Sequence, residues 1–277
     1  MKENAYAKIN LSLDVVGTRL DGYHDLDSIF LPLELHDEVS VEISDIDDYS
    51  CDDNYPIDSK NIIYKCVELL RNEFDLTNHY KIRIKKEIPA RAGLAGASSD
   101  GAAVLRIINK IENLGLSYSQ LACFGKKIGA DIPFCIYQQA SRVRGIGEIV
   151  EPFRLAKSYD ILLIKPKQGI DTKSSFQVLD LKKCAHPNIE VLKKAFVKGE
   201  KISDLLGNSL QYSASLLCSE VDEIVNAVKE KGYQNVLMTG SGSTVFVLAY
   251  EGEDLDKLAK EMSGKYDFVC KTRLLTM

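Results

Sequence analysis

Apolar and polar residues alternate along the chain between positions 5 and 15. One face of this segment carries Ala5, Ala7, Ile9, Leu11, Leu13 and Val15, and the other carries Tyr6, Lys8, Asn10, Ser12 and Asp14. A period of two residues is typical of a β-strand with one buried face. The pattern therefore predicts a half-buried strand that displays Lys8 and Asn10 side by side. The alternative interpretation is an ordinary polar row facing solvent.

Strand and helix patterns alternate along the rest of the chain. The first half predicts strands at 28–33, 39–43 and 81–88, helices at 61–71, after 99 and from 117 to 129, and a loop at 44–59 that contains Pro56. Ser117 and Gln120 match a capping box that opens the last of these helices. The second half predicts strands at 159–165 and 266–274, two strands joined by a Gly/Ser loop within 235–248, and helices near 173–180, 188–197, 209–231 and 253–263. Strand pairs interleaved with helices favour an α+β fold over a doubly wound parallel sheet.

The segment IPARAGLAGASSDGAAVLRIIN, residues 88–109, carries the strongest functional signal. A loop of small residues at 91–99 leads directly into an amphipathic helix. The first N–H groups of a helix lack internal partners and carry the positive end of the dipole, so phosphate oxygens bind there when small residues let them approach. We therefore predict a nucleotide phosphate site. The alternative is a flexible turn that caps an ordinary helix, since neither a Walker loop nor G-x-G-x-x-G spacing occurs.

Composition and charge narrow the classes of function. A chain of 277 residues can form one large domain or two lobes, and the segment 151–158, with Pro152, is the predicted boundary. The net charge of −5 argues against a nucleic-acid partner. No run approaches the roughly 18 apolar residues of a membrane span. Seven cysteines without a C-x-x-C motif predict a reducing, cytoplasmic setting, and no Cys/His spacing predicts a protein-bound metal.

Three motifs stand in order along the chain: A-K-I-N-L near the start, G-L-A-G-A-S-S-D in the middle and T-G-S-G-S-T near the end. Together they resemble the GHMP kinase superfamily. Four further motifs, R-L-D-G-Y-H at 19–24, I-P-x-x-A-G-L at 88–94, G-A-D-I-P-F at 129–134 and G-I-G-E at 145–148, are most similar to its branch that acts on a cytidine diphosphate derivative of methylerythritol in non-mevalonate isoprenoid synthesis. The resemblance covers nearly the whole chain.

The resemblance implies a two-lobed α+β fold. The N-terminal, ATP-binding lobe would span 1–152 and be similar to domain 2 of ribosomal protein S5. The C-terminal lobe would span 158–277 and form a ferredoxin-like α/β sandwich. We expect a small-molecule substrate, no nucleic-acid or membrane partner, and a monomer or a weak homodimer.

The reaction that the resemblance implies moves the γ-phosphoryl group of ATP, with Mg²⁺, onto the 2-hydroxyl of the methylerythritol moiety. Such a transfer needs positioning and charge neutralisation, and a carboxylate that accepts the hydroxyl proton is useful. Asp131 matches the family's catalytic base, and Lys8 matches the lysine beside it. From position alone, Asp131 could simply cap a turn, and Lys8 could extend from a strand face to solvent.

The resemblance also implies two sets of binding residues. The expected nucleotide-binding residues are Pro89, Ala92, Gly93, Leu94, Ala95, Gly96, Ala97, Ser98 and Ser99. The expected substrate-binding residues are Asn10, Tyr23, His24, Thr172, Phe176, Gly240, Ser241 and Gly242. Tyr23 and Phe176 would stack on opposite faces of cytosine while His24 bonds to it. The alternatives are a hairpin turn at D-G-Y-H, a core position for Phe176 and a simple Gly-rich bend at 240–242.

The chain departs from the family's usual G-L-G-G-G-S-S-D-A at Ala95, Ala97 and Gly101. A methyl group costs energy only where φ is positive. Glycine within a helix costs about 1 kcal/mol relative to alanine. These changes predict a slightly shifted loop with weaker ATP binding, or an altered nucleotide preference. Two other functions stay open: a GHMP kinase for another small alcohol, such as homoserine or mevalonate, and a catalytically silent sensor.

Overall fold

The computed structural model describes residues 1–52, 57–155, 157–250 and 252–276. Pro56 within the predicted loop and residue 156 within the predicted boundary lie outside these ranges. No helix in the described ranges is long and apolar enough to cross a membrane.

The first half of the chain builds a six-stranded sheet with the order β3-β4-β2-β5-β6, and β1 pairs with β2. Its strands are β1 (Lys2–Thr18), β2 (His24–Ser44), β3 (Asp48–Cys51), β4 (His79–Lys85), β5 (Ser141–Gly145) and β6 (Ile149–Pro152). The strands predicted at 28–33 and 39–43 are parts of one continuous strand, β2. The loop predicted at 44–59 is wrong at residues 48–51, which pair in parallel with β4 as β3.

Four helices cover this sheet: α1 (Ile62–Phe74), α2 (Gly96–Ile111), α3 (Tyr118–Lys126) and α4 (Ile132–Tyr137). Their apolar faces join the sheet in one core that includes Ile63, Val104 and Phe134. The capping box predicted at Ser117 and Gln120 is confirmed, since both of its reciprocal hydrogen bonds are present.

The second half builds a four-stranded antiparallel sheet with the order β10-β7-β9-β8. Its strands are β7 (Asp160–Lys165), β8 (Val236–Met238), β9 (Val245–Leu248) and β10 (Phe268–Arg273). Its helices are α5 (Thr172–Gln177), α6 (Ile189–Lys198), α7 (Gln211–Leu217), α8 (Glu220–Glu230) and α9 (Leu255–Met262), with a 3₁₀ turn at Ser203–Leu205. This strand order is that of a ferredoxin-like sandwich, as predicted.

One element of the second half differs from the sequence prediction. The single helix predicted at 209–231 is two helices, α7 and α8, because Cys218 adopts an extended conformation with φ −150° and ψ 97°. The apolar spacing continues across this break, so the pattern alone did not reveal it.

The two halves share a core that runs between both sheets and includes Ile9, Leu31 and Leu163. Backbone hydrogen bonds also join them, from Leu13 N to the Gly207 carbonyl at 2.9 Å and from Leu275 N to the Pro32 carbonyl at 2.8 Å. The second half therefore packs on the apolar row of β1 and also reaches its polar row, where Ser12 Oγ donates to the Gly207 carbonyl. Lys8 is covered from within the first half, by Phe30 and Asp131. The prediction of a half-buried strand is wrong, because Lys8, Asn10 and Ser12 are all buried.

Gly101 has a packing reason in this fold. A Cβ atom at this position would lie 2.6 Å from Ile62 Cγ2 and 3.1 Å from Cys66 Sγ. Contacts this short force neighbouring groups to move. The close approach of α1 to α2 thus accounts for a glycine within a helix.

We predict that Gly101→Ala destabilises the protein. Overpacking costs typically 1–3 kcal/mol, which exceeds the gain of about 1 kcal/mol in helix propensity. The measurement is the free energy of unfolding in urea.

An Ile62→Ala background supplies the control, because it removes the obstructing methyl group. Gly101→Ala should become stabilising there, as a double-mutant cycle would show. A stabilising effect of Gly101→Ala in the wild-type background would contradict this account of the glycine.

Candidate active site

A row of polar side chains on β1 forms the floor of the candidate site. Lys8 Nζ donates to Asn10 Oδ1 at 2.6 Å, and Asn10 Nδ2 donates to Ser28 Oγ on β2 at 2.9 Å. The Asn10 backbone N–H donates to Thr239 Oγ1, 2.8 Å away in the second half of the chain. Buried polar groups need such partners, so this network fixes the orientation of Lys8 and Asn10.

Lys8 also faces Asp131 at the start of α4. The Lys8 Nζ atom lies 3.8 Å from Asp131 Oδ2 and 4.4 Å from the centre of the Phe30 ring. The Lys8 side chain is 4% exposed and that of Asp131 is 34% exposed. The Asp131 side chain makes no capping hydrogen bond to α4. Both simpler interpretations are therefore wrong, since Lys8 does not reach solvent and the Asp131 side chain does not cap the helix.

The start of α2 provides the donors expected for phosphate. Ala95 is the N-cap residue and makes no side-chain cap hydrogen bond, so no capping side chain covers the N–H groups of Gly96, Ala97 and Ser98. The preceding loop is tied to β1, because Lys8 N donates to the Leu94 carbonyl at 3.1 Å. The helix terminus and the Lys8–Asp131 pair thus belong to one site.

Three residues of the loop have positive φ: Arg91 (+50°), Gly93 (+74°) and Ala95 (+58°). Ala95 therefore lies where a methyl group is strained, whereas Ala97 lies in the helix. The hydroxyl of Ser99 donates to the Tyr6 carbonyl and is buried, so it joins α2 to β1 instead of facing the loop opening. Its neighbour Ser98 is half-buried.

The T-G-S-G-S-T loop packs against the predicted phosphate loop, residues 91–99. The contact joins backbone to backbone. A Cβ atom on Gly93 would collide with the Thr239 carbonyl oxygen. A Cβ atom on Gly240 would lie 3.0 Å from the Gly93 carbonyl oxygen and 3.3 Å from Asn10 Oδ1. Glycine at both positions permits this approach, which brings residues 93 and 240, far apart in the sequence, into contact.

Asn208 holds the second loop from behind. Its Nδ2 atom donates to the Met238 carbonyl at 2.8 Å and to the Gly240 carbonyl at 2.9 Å. On the other side, Ser241 Oγ lies 3.0 Å from Thr172 Oγ1 at the start of α5. Sequence reasoning missed Asn208, Ser28 and Thr239, because no local pattern marks residues that act through distant backbone groups.

The aromatic residues lie at the other end of α5. The rings of His24 and Phe176 are stacked, with centroids 4.8 Å apart and an interplanar angle of 26°. Tyr23 follows a turn with Gly22 at φ +83°, and its side chain is exposed. The structure thus stacks His24 on Phe176, whereas the sequence analysis expected Tyr23 and Phe176 on opposite faces of cytosine and His24 as a hydrogen-bonding partner. A base that stacks on this face of Phe176 must displace the His24 ring.

Comparisons with known proteins agree with this geometry. The family model described as GHMP kinases N terminal domain matches residues 61–139, and the one described as GHMP kinases C terminal matches residues 189–267. A protein of Bacillus cereus (strain AH187) named 4-diphosphocytidyl-2-C-methyl-D-erythritol kinase is 37% identical over 276 residues, which are 98% of this chain and 96% of that protein. The chain belongs to the GHMP kinases.

Solved structures give the same assignment of fold. A crystal structure of 4-(cytidine 5'-diphospho)-2C-methyl-D-erythritol kinase superposes with a TM-score of 0.84 at 28% identity and covers 99% of both chains. Homoserine kinase from Cytophaga hutchinsonii superposes with a TM-score of 0.74 at 18% identity, covering 100% of this chain and 94% of its own. The second likeness concerns the fold alone.

This GHMP kinase has a buried charge cluster beneath its phosphate loop. Lys86 Nζ bonds to Asp100 Oδ2 at 2.6 Å and to Asp37 Oδ2. Burial raises the pKa of Asp100 to about 7, with Lys86 opposing the rise and Asp37 adding to it. In the part of the chain that the structure describes, no group of three His, Cys, Asp or Glu side chains is arranged to hold a metal ion.

We predict that Gly93→Ala impairs this kinase severely. At φ +74° the new methyl group would be strained and would collide with the Thr239 carbonyl, which forces the two loops apart. We expect kcat/KM for ATP to fall by roughly a hundredfold, as displacements of about 1 Å at active sites commonly cause. Steady-state kinetics measures this loss.

Gly199→Ala is the matched control. Gly199 has nearly the same φ, +73°, but nothing lies within 4 Å of the position that its Cβ atom would take. This variant should lose about 1 kcal/mol of stability and keep its kinetic constants. Equal kinetic losses in both variants would contradict the proposed packing of the two loops.

The pH dependence of stability should report on Asp100. Its pKa is higher in the folded protein than the ordinary value of 3.8, so its contribution to stability is complete below pH 3.8 and is lost as pH rises to about 7. Asp100→Asn lacks this titration. Between pH 5 and pH 8, the free energy of unfolding should therefore fall more in the wild type than in Asp100→Asn, by up to about 1.4 kcal/mol per pH unit below pH 7. Urea unfolding of both proteins tests this, and identical pH profiles would contradict the raised pKa.

Proposed function

We propose that this GHMP kinase transfers the γ-phosphoryl group of ATP to the 2-hydroxyl of 4-diphosphocytidyl-2-C-methyl-D-erythritol, a step of non-mevalonate isoprenoid precursor synthesis. The observation that carries the proposal is the Lys8–Asp131 pair, 3.8 Å apart and next to the start of α2, where no side chain caps the helix. The substrate comes from the name of relatives that are 37% identical over 98% of the chain.

In the proposed reaction, the substrate hydroxyl oxygen attacks the γ-phosphorus. A new P–O bond forms, the bond from the γ-phosphorus to the bridging oxygen breaks, and ADP leaves. The hydroxyl proton passes to the Asp131 carboxylate, which is open enough to meet a substrate. Lys8 orients this carboxylate and stabilises the negative charge on the transferring group.

The nucleotide phosphates fit the loop formed by residues 89–99. In this proposal the N–H groups of Gly96, Ala97 and Ser98 donate to phosphate oxygens, and the helix dipole favours their charge. Pro89, Ala92, Gly93, Leu94, Ala95 and Ser99 give the loop its shape. Mg²⁺ bound to the phosphates would neutralise part of their charge, and phosphate oxygens and water would supply most of its ligands.

The acceptor substrate fits between β1 and α5. Asn10 presents a polar group beside Lys8, and Thr172 and Ser241 present two hydroxyl groups 3.0 Å apart, so these residues suit the polyol and phosphate parts. Gly240 and Gly242 shape the loop that carries Ser241, since a Cβ atom at either position would crowd neighbouring protein atoms. Tyr23, His24 and Phe176 lie at the aromatic end and suit the cytosine ring, since stacking on an aromatic face contributes about 1–3 kcal/mol per base.

We propose further that residues 1–152 form the ATP-binding domain and residues 158–277 the C-terminal kinase domain. The ranges of the two family models support this division.

We also propose a monomer or weak homodimer that works on a small molecule in the cytoplasm. Cys66, Cys123, Cys135, Cys184, Cys218 and Cys270 are free thiols, which suits a reducing compartment.

The test is ADP release in a coupled assay with 4-diphosphocytidyl-2-C-methyl-D-erythritol, homoserine and mevalonate as acceptors. We expect turnover with the first acceptor only. Asp131→Ala should lower kcat by about 10²–10⁴-fold, the usual contribution of a positioned general base. Its thermal stability should also fall, because the buried Lys8 ammonium loses its carboxylate partner, so kcat is measured well below the melting temperature of the variant.

Tyr23→Ala and His24→Ala separate the cytidine substrate from other alcohols. Both variants should raise KM for the cytidine substrate and leave KM for ATP unchanged. Turnover of homoserine or mevalonate that is insensitive to these changes would overturn the proposed substrate. Binding of the ligands without any ADP release would indicate a silent sensor.

A further inference from the structure

Two charged residues, Lys86 and Asp100, flank the phosphate loop in the sequence and meet beneath it. Their bond, 2.6 Å from Nζ to Oδ2, closes the loop of residues 87–99 at its base. We propose that the Asp37–Lys86–Asp100 cluster is a clamp that holds the phosphate loop in its nucleotide-binding shape, with Asp100 as a positioning residue. The proposal rests on the nucleotide site of the proposed function but not on the identity of the acceptor.

Asp37 fixes the entry of the loop. This residue lies on β2 and is fully buried. Its Oδ1 atom accepts the backbone N–H groups of Glu87 at 2.6 Å and Ile88 at 2.8 Å, and its Oδ2 atom accepts Lys86 Nζ. One carboxylate therefore sets the direction in which the chain leaves β4 and enters the loop.

Asp100 fixes the exit. It lies in the second turn of α2 and is 4% exposed. Its Oδ2 atom accepts Lys86 Nζ, and a Cβ atom on Gly96 would lie 3.5 Å from the same Nζ atom. The ammonium group thus lies beside the first residue of α2. The first N–H groups of this helix are the ones that bind phosphate in the proposed function. Moving Asp100 would move the start of this helix relative to β4.

The loop needs such a clamp because its backbone is strained. Arg91 and Ala95 have φ values of +50° and +58°, which side chains other than glycine rarely adopt. Strained conformations persist only where the surroundings hold them. A buried ion pair contributes little net stability compared with apolar residues of the same size, so its main effect here is to define geometry. A loop held in its bound shape binds with a smaller entropic cost.

The experiment compares nucleotide binding by wild type, Asp100→Ala and Asp100→Asn, using the Mg²⁺ complex of the non-hydrolysable analogue AMP-PNP in calorimetry. Asp100→Ala removes the acceptor for Lys86, and we expect Kd to rise about tenfold because the loop is no longer pre-organised. Asp100→Asn keeps an acceptor oxygen, so its Kd should stay within about threefold of wild type. In steady-state assays, Asp100→Ala should raise KM for ATP and leave kcat at saturating ATP within about twofold.

Glu3→Ala is the matched control, because it breaks another buried ion pair on the same helix. Glu3 Oε2 accepts Arg106 Nε at 2.7 Å, and the Arg106 side chain is 3% exposed. Glu3→Ala should lower the melting temperature and leave Kd for AMP-PNP within about twofold, since it does not touch the loop. Should Asp100→Ala fail to fold, Asp100→Ser carries the same expectation with a smaller cost of burial.

The outcomes separate the clamp from a merely structural ion pair. A melting temperature that falls in Asp100→Ala as it does in Glu3→Ala, with an unchanged Kd for AMP-PNP, would overturn the clamp. Rescue of Kd by Asp100→Asn would support it. Normal AMP-PNP binding by a wild type that rejects the methylerythritol derivative would overturn the proposed substrate and leave the clamp standing.

Discussion

The ammonium group of Lys8 lies on a strand with both faces covered, so protein groups must take the place of water around it. The arrangement of much of the site follows from this requirement. Moving an isolated charge out of water costs far more free energy than a folded protein can spare. Lys8 therefore requires the amide of Asn10, the carboxylate of Asp131 and the ring face of Phe30 around it. These partners come from β1, α4 and β2, so the requirements of one cation fix the relative positions of three elements. The same arrangement keeps a carboxylate at the edge of solvent, where a hydroxyl can reach it.

The second constraint is the contact between two loops from opposite halves of the chain. Gly93 and the Thr239–Gly240 backbone approach so closely that neither glycine position accepts a side chain without movement. This contact places the loop before α2 against the loop that carries Ser241, while Lys8 N ties the same loop to β1 through the Leu94 carbonyl. The site is consequently a property of the docked halves, since the first half supplies the helix terminus and the second half supplies the support. The buried charges at Asp37 and Asp100 hold the same loop from below.

The departures from the family motif have distinct physical consequences. Gly101 is matched by the close packing of Ile62 from α1, so the usual alanine does not fit there. Ala97 lies in the helix, where its methyl group carries no strain. Ala95 lies at φ +58°, where a methyl group does carry strain. Of the three departures, Ala95 is therefore the one that strains the backbone. The effect of a substitution in a glycine-rich loop thus depends on the dihedral angle and the neighbours, which the motif does not specify.

The sequence by itself determined the local elements and the family. The alternating pattern marked β1, the capping box marked α3, and the ordered motifs indicated the two-lobed kinase fold, because each of these signals comes from residues close together in the chain. Tertiary structure decided which polar residues are buried, because the groups that cover them come from distant parts of the chain, Asp131 for Lys8 and Gly240 for Asn10. It also decided the stacking of Phe176 on His24 and the charge cluster under the phosphate loop. These contacts join residues that are distant in the chain, so their distances are set by the packing of whole elements and not by local sequence.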